Sequence, residues 1–392
     1  MLDVSHSIPV DVAAATVQRP FDLSVETTRR LGQFGLQVPD FLTGYFRSWT
    51  PYRPYWNYED GVIWKGALDL YLVTRDPALL DYVLQEMESR ILPDGSMPTF
   101  LPREYNIDHV NGGKILFPLY AITGDERFRK AMDVQFAQLK DHPRTKSGNY
   151  WHKQIYPHQV WLDGLFMAQP FQASYARITG NEVLFADTVA QFSSVDRLLK
   201  KDNGLYFHGW DESRAERWAD KQTGLSQNVW GRSMGWWIGA LVDVYEASEG
   251  FSEHLRDEIA RITRDTLTAL LTFRSENGLW YQVVDQGDRE GNYEEASASA
   301  MVAYGLIKAA RMGIMGKDVS DTGIASLHAV CDRFVTPGAL NGICGVAGLG
   351  NVPYRDGSYE YYLSEKITPN DPKGVGALMW ALSEGVRVRE PQ

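Results

Sequence analysis

What most constrains this chain is a recurring unit: an apolar helical stretch, a Thr-Gly-Asp-like turn, and a second, amphipathic stretch. It reads LYLVTRDPALLDYVLQEM from Leu70, LYAITGDERFRKAMDVQF from Leu119 and SYARITGNEVLFADTVAQF from Ser174. A looser copy, VYEASEGFSEHLRDEIARI, starts at Val244, and a degenerate turn lies at Arg311-Met312-Gly313. In the turns, Asp76, Asp125 and Asn181 are placed to accept backbone N–H bonds as N-caps of the second helix. Pro77 stands where the first helical N–H is unpaired anyway. The second stretches carry the helical apolar period, with Leu80, Val83, Leu84 and Met87 in one copy and Phe128, Met132, Phe136 and Leu139 in the next.

A second punctuation follows each pair: PDGSM at Pro93, KSGNYW at Lys146, DNGLYFHGW at Asp202 and ENGLWYQ at Glu276. Such Asn/Asp/Ser-Gly turns with aromatic residues after them predict short β-hairpins at Gly95, Gly148, Gly204 and Gly278. The unit is helix, turn, helix, long loop, repeating at about 50–70 residues, with the long loops on one side. Six pairs fit, and no Pro/Ser-rich linker interrupts them. The expectation is an all-α fold, an (α/α)6 barrel of about twelve helices forming a single domain over residues 1–392, with residues 1–20 a peripheral N-terminal segment. An open solenoid is the alternative, but it needs polar end repeats, and none is convincing.

Composition narrows the function. Of 392 residues, 44% are hydrophobic and 23% charged, which excludes a disordered chain. Two cysteines, Cys331 and Cys344, exclude a disulfide framework and suit a reducing compartment. The longest apolar run, Met234 to Val242, is too short to span a bilayer. The N-terminus, MLDVSHSIPVDVAAATV, has an early acid and no basic cluster, so a cytoplasmic protein is expected. A net charge of -11 with no basic block speaks against nucleic acid and anionic membranes as partners. No apolar patch or heptad indicates an oligomeric state. Aromatic usage is high, with 12 Trp, 20 Tyr and 16 Phe. Flat rings beside polar groups suit sugar binding, and a Trp-rich core accounts for them equally well.

HExxH, paired CxxC, G-x-S-x-G and Walker-type signatures are absent. His142, His152 and His158 are not spaced i, i+4, so neither a metal nor a cofactor is expected. What remains are polar residues set in aromatic loops. Asp163, after Trp161-Leu162 and before an apolar helix, is either an N-cap or a general acid whose apolar flank favours the protonated form. Arg232, between Trp230 and Trp236, either clamps a carboxylate or pairs with a core acid. His208, in LYFHGWD, is a structural ring or a ligand contact. Asp108, ahead of Asn111-Gly112-Gly113, reads equally as a capping acid.

Seven segments in order resemble glycoside hydrolase family 105, the unsaturated rhamnogalacturonyl hydrolases, and more distantly family 88. They are WNYEDGVIWKG at Trp56, DHVNGGK at Asp108, WLDGLFMA at Trp161, WGRSMGW at Trp230, EASASAMVAYGL at Glu295, GICGVAGLG at Gly342 and NDPKGVGAL at Asn370. The resemblance implies the same (α/α)6 barrel. It also implies removal of a Δ4,5-unsaturated galacturonyl residue from the non-reducing end of a small pectin-derived oligosaccharide. It places the general acid/base on Asp163 and the second active-site acid on Asp108. The uronate-binding residues fall on Lys153, His208 and Arg232, the aromatic walls on Trp161 and Trp236, and a further contact on Tyr58. Two other readings stay open at this point. One is another (α/α)6 sugar enzyme, such as an unsaturated glucuronyl hydrolase or an epimerase. The other is a non-catalytic oligosaccharide-binding protein.

Overall fold

The computed structural model describes residues 20–389. The expected peripheral segment therefore lies outside the described residues, Pro20 excepted. Fourteen α-helices are present among the described residues. Two open the chain, α1 (Val25–Leu31) and α2 (Gln37–Arg47). Next come α3 (Tyr58–Thr74) and α4 (Pro77–Glu88), then a 3-10 run (Ile107–Ile115) that continues into α5 (Leu116–Thr123), then α6 (Glu126–Lys140). The middle of the chain holds α7 (Leu162–Thr179), α8 (Glu182–Leu199), α9 (Gly231–Ala247) and α10 (Glu253–Thr272). The last are α11 (Ala296–Arg311), α12 (Lys317–Phe334), the short α13 (Tyr359–Ser364) and α14 (Pro372–Arg389).

The turns form as their chemistry dictates. Asp76 accepts from Ala78 N at 3.2 Å, Asp125 from Arg127 N at 2.9 Å and Asn181 from Leu184 N at 3.1 Å. The preceding helices end left-handed, at Gly124 and Gly180 (φ 65°) and, in the first copy, at Arg75 (φ 60°). The cap bonds there outweigh the cost of a side chain at positive φ.

Six inner elements close a ring. α3 packs on the 3-10 run, the run on α7, α7 on α9, α9 on α11, α11 on α14, and α14 back on α3. Outside them, α4, α8, α10 and α12 each pack on the inner helix of their own pair. The ring closes through the chain ends: α14 has no following partner, and α1 packs on it instead. This is the (α/α)6 barrel, with α2 and α13 added to the expected twelve helices.

The two helix classes differ as their patterns require. Outer α4 buries one stripe, Leu79, Val83 and Met87, leaving Leu80 and Leu84 half-buried. Inner α9, α11 and α14 are buried nearly all round. Inner helices then need small residues to approach each other. A Cβ on Gly61 of α3 would lie 2.7 Å from Gly112 Cα, closer than packed atoms come. Gly61→Ala is therefore expected to cost about 1–3 kcal/mol, read as a lower denaturation midpoint at unchanged slope. Wild-type stability in that variant would contradict the close approach.

The expected hairpins need correction. Gly95, Gly148, Gly204 and Gly278 do take positive φ in tight turns. Yet only isolated bridges flank two of them, Arg144 with Tyr150 and Lys200 with Tyr206. The ladders lie elsewhere. β1 (Gln159–Trp161) pairs antiparallel with β2 (Gly209–Asp211), and β3 (Val335–Thr336) with β4 (Ala339–Leu340). Local turn signals point to near neighbours, whereas β1 and β2 join different repeats. Their ribbon fixes the loop ahead of α7 against the loop ahead of α9.

Candidate active site

The N-terminal ends of the inner elements meet at one mouth of the barrel. Tyr58 and Glu59 open α3, Asp108 is second in the 3-10 run, Asp163 second in α7, Arg232 second in α9 and Lys373 second in α14. These ends line a pocket of about 210 Å³. Unpaired N–H groups and helix dipoles converge there, which favours a negatively charged occupant.

Seven of the eight residues singled out by sequence line it: Tyr58, Asp108, Lys153, Trp161, Asp163, Arg232 and Trp236. The eighth, His208, sits behind the pocket rather than on its surface. It is fully buried, its Nδ1 2.7 Å from Tyr362 Oη and its Nε2 3.2 Å from Asp163 Oδ2. Its backbone reinforces the arrangement, since Leu162 N donates to His208 O at 3.1 Å.

Neither acid is a helix cap. Trp161 holds the N-cap position of α7, and no side-chain bond caps that helix. Asp163, 13% exposed, is free to face the pocket. In the 3-10 run the cap is Asn106, which accepts from Asp108 N at 3.2 Å. The Asp108 carboxylate instead meets Lys153 Nζ at 2.5 Å and His152 Nε2 at 3.5 Å. Burial pushes Asp108 up, but Lys153 and His152 outweigh it, so its carboxyl titrates below the ordinary range. Burial likewise opposes the Lys153 charge, and Asp108 reverses that too. The two form a buried ion pair at the pocket wall.

Arg232 is fully buried over the Trp230 ring, 5.2 Å from its centroid. It donates to Ser297 Oγ at 3.2 Å, to Gly345 O at 3.2 Å and to Cys344 O, while its Nε has no partner. Among the described residues no core acid pairs with it directly; Glu295 is reached through Ser297 Oγ at 2.8 Å. The guanidinium thus stands at the pocket with its charge only partly offset.

One wall is a ring stack. Trp161 lies 4.3 Å from His152 at 19° and 4.9 Å from Tyr156 at 25°, and those two rings are 6.2 Å apart at 17°, so the three cluster with nearly parallel planes. Burial brings His152 down to about 4, so the stacked ring is neutral at pH 7.

Among the polar residues of the pocket, sequence reasoning did not assign Glu59, Tyr156, Arg355 and Lys373 to the site. Glu59 and Lys373 stand inside quoted segments, WNYEDG and NDPKG, where flanking residues drew the attention. Arg355 donates to Tyr156 Oη at 2.9 Å from a loop far along the chain, and no local signal marks it. Lys373 is held by Asp371 at 2.8 Å, and burial keeps its ammonium below its usual range. The three histidines noted by spacing do not converge. Among the described residues no trio of His, Cys, Asp or Glu is arranged to hold a metal ion.

Glu59 gives a pH test. Burial raises its carboxyl to about 7 from an ordinary 4.5, against the pull of Lys373. The folded state then holds this proton more tightly than the unfolded chain. Its contribution to stability is complete below about 4.5 and lost as pH rises through about 7. Glu59→Gln is expected to flatten the fall in melting temperature across that window. An unaltered profile would contradict the buried placement.

Comparison with known proteins gives concordant matches. The sequence model of Glycosyl Hydrolase Family 88 matches residues 41–389. Protein Atu3128 of Agrobacterium fabrum is 40% identical over 233 residues, covering 56% of this chain and 98% of that protein. The unsaturated rhamnogalacturonyl hydrolase YesR of Bacillus subtilis is 28% identical over 314 residues, 76% of this chain and 84% of that one. Among solved structures, a family 105 glycoside hydrolase of C. acetobutylicum superposes with a TM-score of 0.84 at 38% identity, covering 92% of this chain and 99% of its own.

Proposed function

The chain belongs to Glycosyl Hydrolase Family 88, and we propose that it removes a Δ4,5-unsaturated galacturonyl residue from the non-reducing end of pectin- or rhamnogalacturonan-derived oligosaccharides by hydrating the vinyl ether. That it is a glycoside hydrolase follows from the family, and unsaturated uronyl hydrolysis is supported at that level. The epimerase and pure binding-protein readings are therefore set aside.

The observation that carries the finer reading is the composition of the pocket. One carboxylate, Asp163, faces an aromatic wall while Lys153, Arg232, Arg355 and Lys373 line the same space. A uronate is an anionic sugar, and this pocket offers rings for its faces and cations for its charge. Of the other two pocket acids, Asp108 is bound to Lys153, and Glu59 is raised by burial to about 7. An ordinary glycosidase needs two working carboxyls across the anomeric carbon. A vinyl ether needs one, acting first as acid and then as base.

In this scheme Asp163 protonates C4, and oxocarbenium character develops at C5. The resulting carboxylate takes a proton from water as its oxygen adds to C5. The hemiketal opens by breaking the bond from C5 to the ring oxygen, leaving a ketone at C5 and a hemiacetal at C1, which expels the aglycone. His208 Nε2, 3.2 Å from Asp163 Oδ2, positions the carboxyl through both steps, and Tyr362 orients the imidazole in turn. Lys153 and Arg232 hold the uronate carboxylate, Asp108 fixes Lys153, and Trp161 and Trp236 sandwich the ring. Tyr58 adds a polar contact. The free, buried thiols of Cys331 and Cys344 fit a cytoplasmic setting for this work.

Unsaturated galacturonyl-rhamnose, galacturonyl-galacturonate and glucuronyl disaccharides are compared by loss of the double-bond ultraviolet absorbance. Fastest turnover of the galacturonyl-rhamnose substrate is expected. Preference for the glucuronyl substrate would overturn the assignment of the sugar, and binding of all three without absorbance loss would overturn the chemistry.

A further inference from the structure

A second cavity lies at the opposite end of the barrel, and the chemistry above does not use it. Its volume is about 620 Å³, larger than the Asp163 pocket and within the range of small-molecule sites. It opens to solvent beside the exposed Ala121 and Ile178, and its walls include Leu68, Leu72, Phe117 and Pro118.

Its charges are mostly matched. Lys308 Nζ lies 2.7 Å from both Asp243 and Glu246, and Lys65 Nζ 2.5 Å from Asp69. Arg177, at the rim, pairs with Glu249 at 2.7 Å. Lys114 is different. Its amine nitrogen is buried with no hydrogen-bond partner among the described residues, and it rests 3.2 Å from the centroid of the Phe166 ring. A buried amine left without an acceptor is costly, and the cost falls if an occupant supplies one. With Arg177 matched by Glu249 at the rim, Lys114 is the basic side chain of the lining that no carboxylate pairs among the described residues.

We propose that this cavity binds a small organic monocarboxylate of about sugar-acid size, its carboxylate accepting from Lys114 Nζ and its body lying on the apolar wall. A phosphate dianion is disfavoured, because one unpaired amine offsets one negative charge and the second meets Asp243 and Glu246. A cation is disfavoured because the acids are already paired.

Binding is coupled to a proton. Burial holds the Lys114 amine well below its ordinary range; Asp243 and Asp69 raise it, and Lys65 lowers it. Lys308, Glu246 and Arg177 complete the charged lining. A bound carboxylate stabilises the ammonium, so affinity should weaken as pH rises and protons should be taken up on binding.

The test is calorimetric titration with D-galacturonate, and with neutral D-galactose as control, in an Arg232→Ala background so that uronate binding at the Asp163 pocket does not mask the second cavity. Two variants accompany that background: Lys114→Met, which removes the amine, and Ala121→Trp, which plugs the mouth without touching a charge. A cooperative melting transition certifies the fold of each. The expected result is a galacturonate-specific isotherm with proton uptake, weakened at least ~10-fold in both variants. If Lys114→Met fails to fold, Ala121→Trp decides alone. Undiminished binding in either folded variant overturns the proposal, as does the absence of carboxylate-specific heat in the Arg232→Ala background up to about 10 mM ligand.

Discussion

Asp163→Asn is expected to keep the barrel and the ability to bind ligand while losing at least ~10²-fold in kcat, the contribution of a general acid. The amide keeps nearly the same shape but cannot donate the proton to C4 or take one from water. Because Asp163 caps no helix, its replacement removes little stability. Loss of activity with an unchanged melting temperature therefore separates chemistry from folding. His208→Gln should behave differently, lowering kcat less and shifting the pH profile, since that ring acts only through Asp163. A fully active Asp163→Asn enzyme would refute the assignment.

Arg232→Ala is expected to lose at least ~10-fold in kcat/KM, because charge-assisted bonds are worth roughly 1.5–3 kcal/mol each. Here stability should fall as well. The same guanidinium tethers Cys344 O and Gly345 O, so its loss frees carbonyls of the loop that bears Val346 and Ala347 at the pocket. Arg232→Lys should restore little, since one ammonium cannot replace the planar fork that reaches Ser297 and both carbonyls. Wild-type kinetics in a folded Arg232→Ala variant would remove it from the uronate contacts.

Much of the barrel was legible because its turns are local. Asp76, Asp125 and Asn181 cap helices that begin one residue later, so both partners of each bond lie in one short window. The closure of the ring was less legible. α14 packs on α3 and takes α1 as its outer neighbour, contacts between the two ends of the chain that no periodicity encodes. The hairpins misled for a related reason. Gly148 and Gly204 mark genuine turns, but the ladder that organises the site joins Val160 to Trp210, across two repeats.

The site divides the same way. Asp163 and Arg232 could be found because each stands second in an inner helix, beside aromatic or glycine-rich sequence, whereas Lys373, placed likewise in α14, was passed over. His208 could be found as a residue but not as a neighbour of Asp163, which depends on the β1–β2 ribbon. Arg355 could not be found, since its contact with Tyr156 joins residues 199 positions apart.

The most direct test of vinyl-ether hydration is a paired rate measurement on one disaccharide in two forms. One carries the Δ4,5 double bond at the non-reducing galacturonyl residue, and the other is the matching saturated galacturonide. The released aglycone is quantified for both under identical conditions. The account predicts release from the unsaturated form, in step with loss of its ultraviolet absorbance, and none from the saturated form. Comparable release from both would contradict protonation at C4 by Asp163, even with the barrel and pocket as described.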